Sequence, residues 1–287
     1  MKKLLLAATI MTSALFHQPA HAQESKTTLQ LYTLNCGSIH VSDLNVFSDT
    51  DQYIGKDKTL NVGCYLIKHN NDWLLWDTGI PSALAQKPEG MTNGVFHLSV
   101  AKTLTEQLAT IGLKPEDINY VGISHAHFDH TSNANLFTNA TLIIQDTEYN
   151  FLKNTPEAAK AYNMPPENIS YFLADEHKGQ LHTIKGDDDI FKDGTIKAIS
   201  LPGHTPGHMA LLVNLEKTGP VILSGDQWHF TQNHESNGVP TFNYDRADTL
   251  ASSDKLDHLI KNRGAKLIIQ HEVNDNKDLP KPPAFLD

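Results

Sequence analysis

The segment His125-Ala126-His127-Phe128-Asp129-His130 places four metal-capable side chains within six positions, directly after the apolar run Tyr120-Val121-Gly122-Ile123-Ser124. Three further apolar runs end in the same way. Ile199-Ser200-Leu201-Pro202-Gly203 leads to His204, Val221-Ile222-Leu223-Ser224-Gly225 to Asp226, and Leu267-Ile268-Ile269-Gln270 to His271. Imidazoles and carboxylates suit zinc and neighbouring first-row divalent metals. Residues two apart after a strand, such as His125 and His127, can point at one ion, leaving Asp129 and His130 to turn towards a second. A carboxylate such as Asp226 can bridge both. Paired metals about 3.5–4 Å apart share an activated hydroxide and polarise a scissile carbonyl, and water on one catalytic zinc titrates near pH ~7. The cluster predicts a hydrolytic two-metal centre. An isolated histidine is more often structural, so His40, His69, His97, His177, His182, His234 and His258 are set aside, even though sixteen histidines is a high count for the chain.

These residues require several strands to end on one rim, where open α/β sheets place their ligand sites. Strands are expected at 28–34, 62–69, 72–76, 120–124, 141–145, 196–201, 209–213, 221–224 and 266–270. A helix is expected over 99–111, with Ser99 as N-cap, Val100, Leu104, Leu108 and Ile111 on one face, and Gly112 as the stop. A second is expected over 246–261, ahead of Gly264. Strands interleaved with helices indicate an α/β class. The stretches 81–96, 154–179 and 228–245 show no clean period and read either as binding loops or as plain surface connections. Met91, Phe96, Tyr149, Phe151 and Trp228 are either lining for an apolar groove or ordinary core.

The chain opens on Met1-Lys2-Lys3, runs through an apolar stretch at 4–16 and reaches Ala20-His21-Ala22. That pattern predicts a secretory signal peptide at 1–22, and a single domain at 23–287 in the periplasm or outside the cell. No later apolar run is long enough to span a bilayer. The net charge of −10 becomes −12 once Lys2 and Lys3 are removed, which argues against nucleic acid as a partner. Cys36 and Cys64 either form one bridge in an oxidising compartment or remain two separate buried thiols.

The stretches Leu75-Trp76-Asp77-Thr78-Gly79, Ser124 to His130, Pro202-Gly203-His204-Thr205-Pro206-Gly207-His208, Ser224-Gly225-Asp226 and His271 resemble the metallo-β-lactamase superfamily. The resemblance implies a four-layer αββα sandwich carrying two zinc ions at one edge. Carried over, His125, His127 and His204 bind one zinc, Asp129, His130 and His271 bind the other, and Asp226 bridges them. Asp77 would support a ligand imidazole from behind; its alternative is a turn aspartate at a strand end.

Within the superfamily, Ser224-Gly225-Asp226-Gln227-Trp228-His229-Phe230, Arg246-Ala247-Asp248-Thr249-Leu250 and Gln270-His271-Glu272 resemble exported N-acyl-homoserine lactonases. This implies lactone-ring opening by a metal-bridging hydroxide, with Asp129 passing a proton to the leaving alcohol. Lactonases of this kind place a Tyr three residues after the bridging Asp, whereas this chain has His229. An imidazole can also donate to an oxyanion, though it titrates near neutrality; the other reading is a loop histidine with no catalytic part. The expected partner is a small ester or lactone, and the protein a monomer or homodimer. The rivals are an exported aryl-ester or organophosphate hydrolase, a β-lactamase, and a non-catalytic zinc-binding protein. Both cysteines lie upstream of the histidine cluster, which disfavours β-lactamases with a cysteine ligand. The signal peptide disfavours cytosolic hydrolysis of glutathione thioesters.

Overall fold

Consecutive residues of a strand point to opposite faces, and in this chain both faces of the central strands are apolar. Tyr65 and Ile67 pack into one cluster while Leu66 packs into another. The same alternation separates Leu74 and Trp76 from Leu75, and Met209, Leu211 and Val213 from Ala210 and Leu212. Such strands need cover on both sides. In a computed structural model describing residues 27–287, that cover takes the form of layers. The signal peptide expected at 1–22 lies outside the described residues.

The strands in chain order are β1 (Leu29–Val41), β2 (Lys58–His69), β3 (Asp72–Trp76), β4 (Met91–Asn93), β5 (Phe96–Ser99), β6 (Tyr120–Gly122), β7 (Thr141–Gln145), β8 (Leu181–Ile184), β9 (Asp188–Asp189), β10 (Ile196–Ser200), β11 (Met209–Leu215), β12 (Gly219–Leu223) and β13 (Lys266–Ile268). They form an eight-stranded sheet in the order β4-β5-β1-β2-β3-β6-β7-β8 and a five-stranded sheet in the order β13-β12-β11-β10-β9. The neighbours from β3 through β8 are parallel, as are β12 and β13.

Leu31, Tyr65 and Trp76 of the larger sheet meet Met209, Leu211 and Leu223 of the smaller one between the two. Helices Leu104–Ala109 and Asp146–Asn154 cover the outer face of the larger sheet through Leu108 and Leu152. Helix Arg246–Arg263 sets Leu256 against Leu201, Leu212 and Ile222 of the smaller sheet. The result is the expected αββα order.

The first helix starts later than its apolar spacing predicts. Ser99 ends β5, and the N-cap is Thr103. Thr103 Oγ1 accepts from the Glu106 amide at 3.1 Å, and Glu106 Oε2 accepts from the Thr103 amide at 2.8 Å. This reciprocal box satisfies two orphan donors where Ser99 would satisfy one. Val100 therefore packs against the core from outside the helix. Gly112 does provide the stop, at φ +83°.

The three aperiodic stretches contain short elements. Residues 81–96 hold the 3₁₀ turn Ser82–Gln86 and β4; 154–179 hold helices Pro156–Ala161 and Ser170–Leu173; and 228–245 hold helix Thr231–Ser236. Helices of four to six residues complete too few turns to show a period. Among the described residues, no helix is long and apolar enough to cross a membrane.

Cys36 and Cys64 form a disulfide between β1 and β2, with Cα atoms 5.8 Å apart across 28 residues of sequence. Closing a loop of that length stabilises the fold by about 3–4 kcal/mol in the chain-entropy model. A Cys36→Ala/Cys64→Ala double variant is expected to lose that amount in urea unfolding, with a larger m-value because its unfolded chain is less compact. A loss below about 1 kcal/mol would reject the cross-link as a major contributor.

Candidate metal centre

The four strand ends meet at one edge. β6 ends three residues before His125, β10 four before His204, β12 three before Asp226 and β13 three before His271. β6 belongs to the larger sheet and the other three to the smaller, so the site straddles the two. The Gly203 turn makes this possible: its φ is +132°, and a Cβ there would lie 2.2 Å from the Thr249 amide nitrogen. Only glycine brings this loop so close to helix Arg246–Arg263.

Seven side chains fall into two groups, His125, His127, His204 and Asp226 in the first, and Asp129, His130 and His271 in the second. In the first, His127 Nδ1 lies 2.9 Å from His125 Nε2 and 3.0 Å from His204 Nε2. In the second, His130 Nε2 lies 3.3 Å from His271 Nε2, and Asp129 Oδ2 is 3.6 Å from His271. Asp226 stands between the groups. Its Oδ2 faces His204 at 3.4 Å and His125 at 3.6 Å, and its Oδ1 faces His271 at 3.0 Å and His130 at 3.3 Å.

The donor set was tested for its fit to divalent cations on three observations. Asp226 Oδ1 is buried and has no hydrogen-bond donor. His127 Nδ1 faces two imidazole nitrogens although it has one in-plane site for a proton or a lone pair. Five carboxylates are buried among the described residues (Asp77, Asp129, Glu148, Asp226 and Glu272), yet no lysine or arginine is. Glu272 reaches a lysine, at 3.5 Å from Lys58. The residues fit a pair of divalent metal ions.

The electrostatics agree. Burial and the neighbouring imidazoles hold His125 and His127 well below the ordinary histidine pKa, which keeps their lone pairs free. Burial also opposes charge on His130 and His271, but Asp226 and the nearby aspartates outweigh it and raise both. Asp226 is itself desolvated, yet the surrounding histidines, His271 foremost, hold it well below the usual carboxylate range. This edge of the molecule attracts positive charge.

The imidazoles are oriented from behind. His130 Nδ1 donates to Asp77 Oδ2 at 2.8 Å, and His271 Nδ1 donates to the Asn61 carbonyl at 2.6 Å. Asp77 also accepts from the Ser124 amide, the Ser124 hydroxyl and Gln270 Nε2. It is the hub of these hydrogen bonds.

Three supporting residues escaped the sequence reading. His208 accepts from the Asp226 amide at 2.8 Å through Nε2, and burial pushes it down to about 3, so it stays neutral. Its one signal was the repeated Pro-Gly-His of 202–208. Gln270 stands next to a ligand candidate, and Glu148 follows the apolar strand β7; neither position carries a spacing that distinguishes it.

His229 lies beside Asp226, with Nε2 3.2 Å from Oδ2, and its ring centroid is 4.6 Å from that of Phe47. Burial pushes it down to about 4. The two groups open onto a cavity lined by Asp129, Asp226, His229 and His271 on its polar side and by Ile39, Phe47, Leu60, Phe96 and Phe242 on its apolar side. Of the five apolar groove candidates, Phe96 is on this wall. Trp228 is core, donating to Ser253 Oγ at 3.1 Å.

The Metallo-beta-lactamase superfamily profile matches residues 58–271, and the chain belongs to that superfamily. It is 30% identical over 275 residues to the N-acyl homoserine lactonase AttM of Azorhizobium caulinodans, covering 91% of this chain and 100% of that one. It is 28% identical to the N-acyl homoserine lactonase AiiA of Bacillus thuringiensis subsp. kurstaki, with the same coverage. A solved N-acyl homoserine lactone hydrolase, with N-hexanoyl-L-homoserine at its catalytic metal centre, superposes with a TM-score of 0.72 at 26% identity, covering 90% of this chain and 98% of that one.

Asp77→Asn leaves one acceptor oxygen for four converging donors and adds a donor facing them. It is expected to cost the metal-free protein about 1–3 kcal/mol in urea unfolding. An unchanged midpoint would show that Asp77 is not the hub.

Proposed function

We propose that the chain is an exported two-zinc hydrolase that opens the lactone ring of N-acyl homoserine lactones. The observation that carries this reading is Asp226, whose two oxygens face the two ligand groups at the floor of an apolar-walled cavity. The relatives supply the substrate class. His125, His127 and His204 would hold one ion, Asp129, His130 and His271 the other, and Asp226 would contact both. An all-His/Asp donor set suits zinc. When bound, the ion pair supplies an activated water and polarises the ester carbonyl.

The chain's own residues do the rest. His229 is neutral at pH 7 because burial opposes its protonation, and a neutral imidazole retains one N–H to offer a developing oxyanion. Asp129, on the cavity wall, would take up the proton released by the attacking water and pass it to the leaving alkoxide as the ring ester bond breaks. Phe47, Phe96 and Phe242 hold the acyl chain and exclude water. The basic, then apolar, N-terminus and the Cys36–Cys64 bridge together support export to an oxidising compartment. N-terminal sequencing of the exported protein is expected to begin at Gln23; retention of residues 1–22 would reject export by cleavage.

Zinc-loaded protein is expected to open acyl lactones of graded chain length, read as acid release, faster than it cleaves aryl esters, phosphotriesters or β-lactams. Asp226→Asn should abolish turnover. His229→Ala should lower kcat by about 10²-fold, the usual cost of one oxyanion donor. Absence of lactone turnover in protein with both metals bound would end the lactonase assignment. Full kcat in His229→Ala would remove His229 from the reaction.

A further inference from the structure

Of the five buried carboxylates, three belong to the site or its support and Glu272 has Lys58. Glu148 is left. It sits in the first turn of helix Asp146–Asn154, is fully buried, and forms no ion pair with a lysine, arginine or histidine among the described residues. Its two oxygens are both used. Oε1 accepts from the Ala126 amide and Oε2 from the Gly207 amide, each at 2.7 Å.

The positions of those amides give the carboxylate its meaning. Ala126 lies between His125 and His127, on the loop after β6 of the larger sheet. Gly207 lies three residues after His204, on the loop after β10 of the smaller sheet. Glu148 therefore ties together the two loops that bring His125, His127 and His204 into one group. The loops are pressed hard onto its helix: a Cβ at Gly207 would lie 2.6 Å from the Glu148 backbone nitrogen. One other backbone bond, from the Met209 amide to the Ser124 carbonyl at 2.9 Å, joins the same two segments.

An acid is an unfavourable choice for a buried brace unless its form or charge is needed. Burial raises the Glu148 carboxyl to about 7 despite the two amides, so the environment resists its ionisation. Its form is a reason to keep it, because two N–H donors facing one side chain need two acceptor atoms and a glutamine offers one.

We infer that Glu148 is a positioning residue for the metal that His125, His127 and His204 would hold, setting the spacing of these imidazoles across the two sheets. The inference rests on the reading that the two groups bind divalent cations. It makes the two metal positions unequal in their dependence on Glu148. The second group hangs on Asp77 and Asn61 instead.

The test uses the mature chain and zinc alone, titrated in competition with a chromophoric chelator, with cobalt-loaded spectra and metal-free unfolding measured alongside. In Glu148→Gln, one of the two zinc ions is expected to bind about 10–100-fold more weakly while the other keeps its affinity. The cobalt spectrum should change in step, and kcat for a lactone should fall with KM little altered. Glu148→Asp, which keeps both oxygens but shortens the reach, should fall between; it decides by the same criterion if Glu148→Gln does not fold. Two zinc ions at wild-type affinity, or equal weakening of both, would overturn the inference. A wild-type chain that binds no zinc would instead sink the metal-site reading on which it rests.

Discussion

A carboxylate taken out of water without a partner costs several kcal/mol even after the protein relaxes, as a rough figure. This chain buries Asp77, Asp129, Glu148 and Asp226 near one edge and sets no lysine or arginine among them. Asp77 recovers the cost through four donors, two from Ser124 and one each from Gln270 and His130. Hydrogen bonds to a charged group contribute about 1.5–3 kcal/mol each, so that account closes on local contacts. Asp226 is different: its Oδ1 has no donor and five imidazoles surround its carboxylate. Histidines can stabilise it by taking up protons, as the raised His130 and His271 show, or by sharing cations with it. His125 and His127 resist protonation, which leaves cations as the partner that satisfies both groups at once.

That requirement explains features of the fold that packing alone does not. The apolar strands can be covered in many ways, but the edges of the two sheets must approach closely enough for β6 and β10 to share ligands. Gly203 and Gly207 allow the second loop to press against Thr249 and Glu148, where any side chain would collide. The backbone carbonyl of Asn61 in β2 receives His271, and that of Gly63 receives Gln270. The Cys36–Cys64 bridge fixes β2 to β1 next to these acceptors. The long β1–β2 ribbon is thus both core and the back wall of the second ligand group.

The legible part of the sequence was the part carried by short-range pattern. Apolar runs gave the central strands, and the residue just past each run gave the seven ligand candidates, because a strand's direction fixes where its next loop emerges. Two kinds of information were missing. Thr103 displaced Ser99 as N-cap through a partner three residues on, a local rule obscured by an apolar spacing that continued upstream. Glu148, Gln270 and His208 act on residues far away in sequence, through bonds across the sheets that no spacing records. The short helices within 154–179 were likewise hidden, since each buries only one or two residues per element.

The same molecule separates the parts that fix the chemistry from those that shape the cavity. The candidate ligands follow strand ends, and His130, His271 and the loop carrying His125 and His127 are held by a buried carboxylate, a backbone carbonyl and Glu148. The apolar wall comes from elsewhere: Phe47 from the 3₁₀ turn Leu44–Phe47, Phe96 from the short strand β5, and Phe242 from the aperiodic stretch 228–245. These rings meet edge to face, with Phe47 5.4 Å from Phe242 and 6.3 Å from Phe96, and Phe47 also touches His229. Such contacts are individually weak and adjustable. A change of wall residue therefore alters the space for the non-reacting part of a substrate. His229 belongs to both: its ring packs on the wall at Phe47 and its Nε2 reaches the floor at Asp226. Phe242 packs on His127 and His204 as well, so repacking of the wall is transmitted to the floor through these imidazoles.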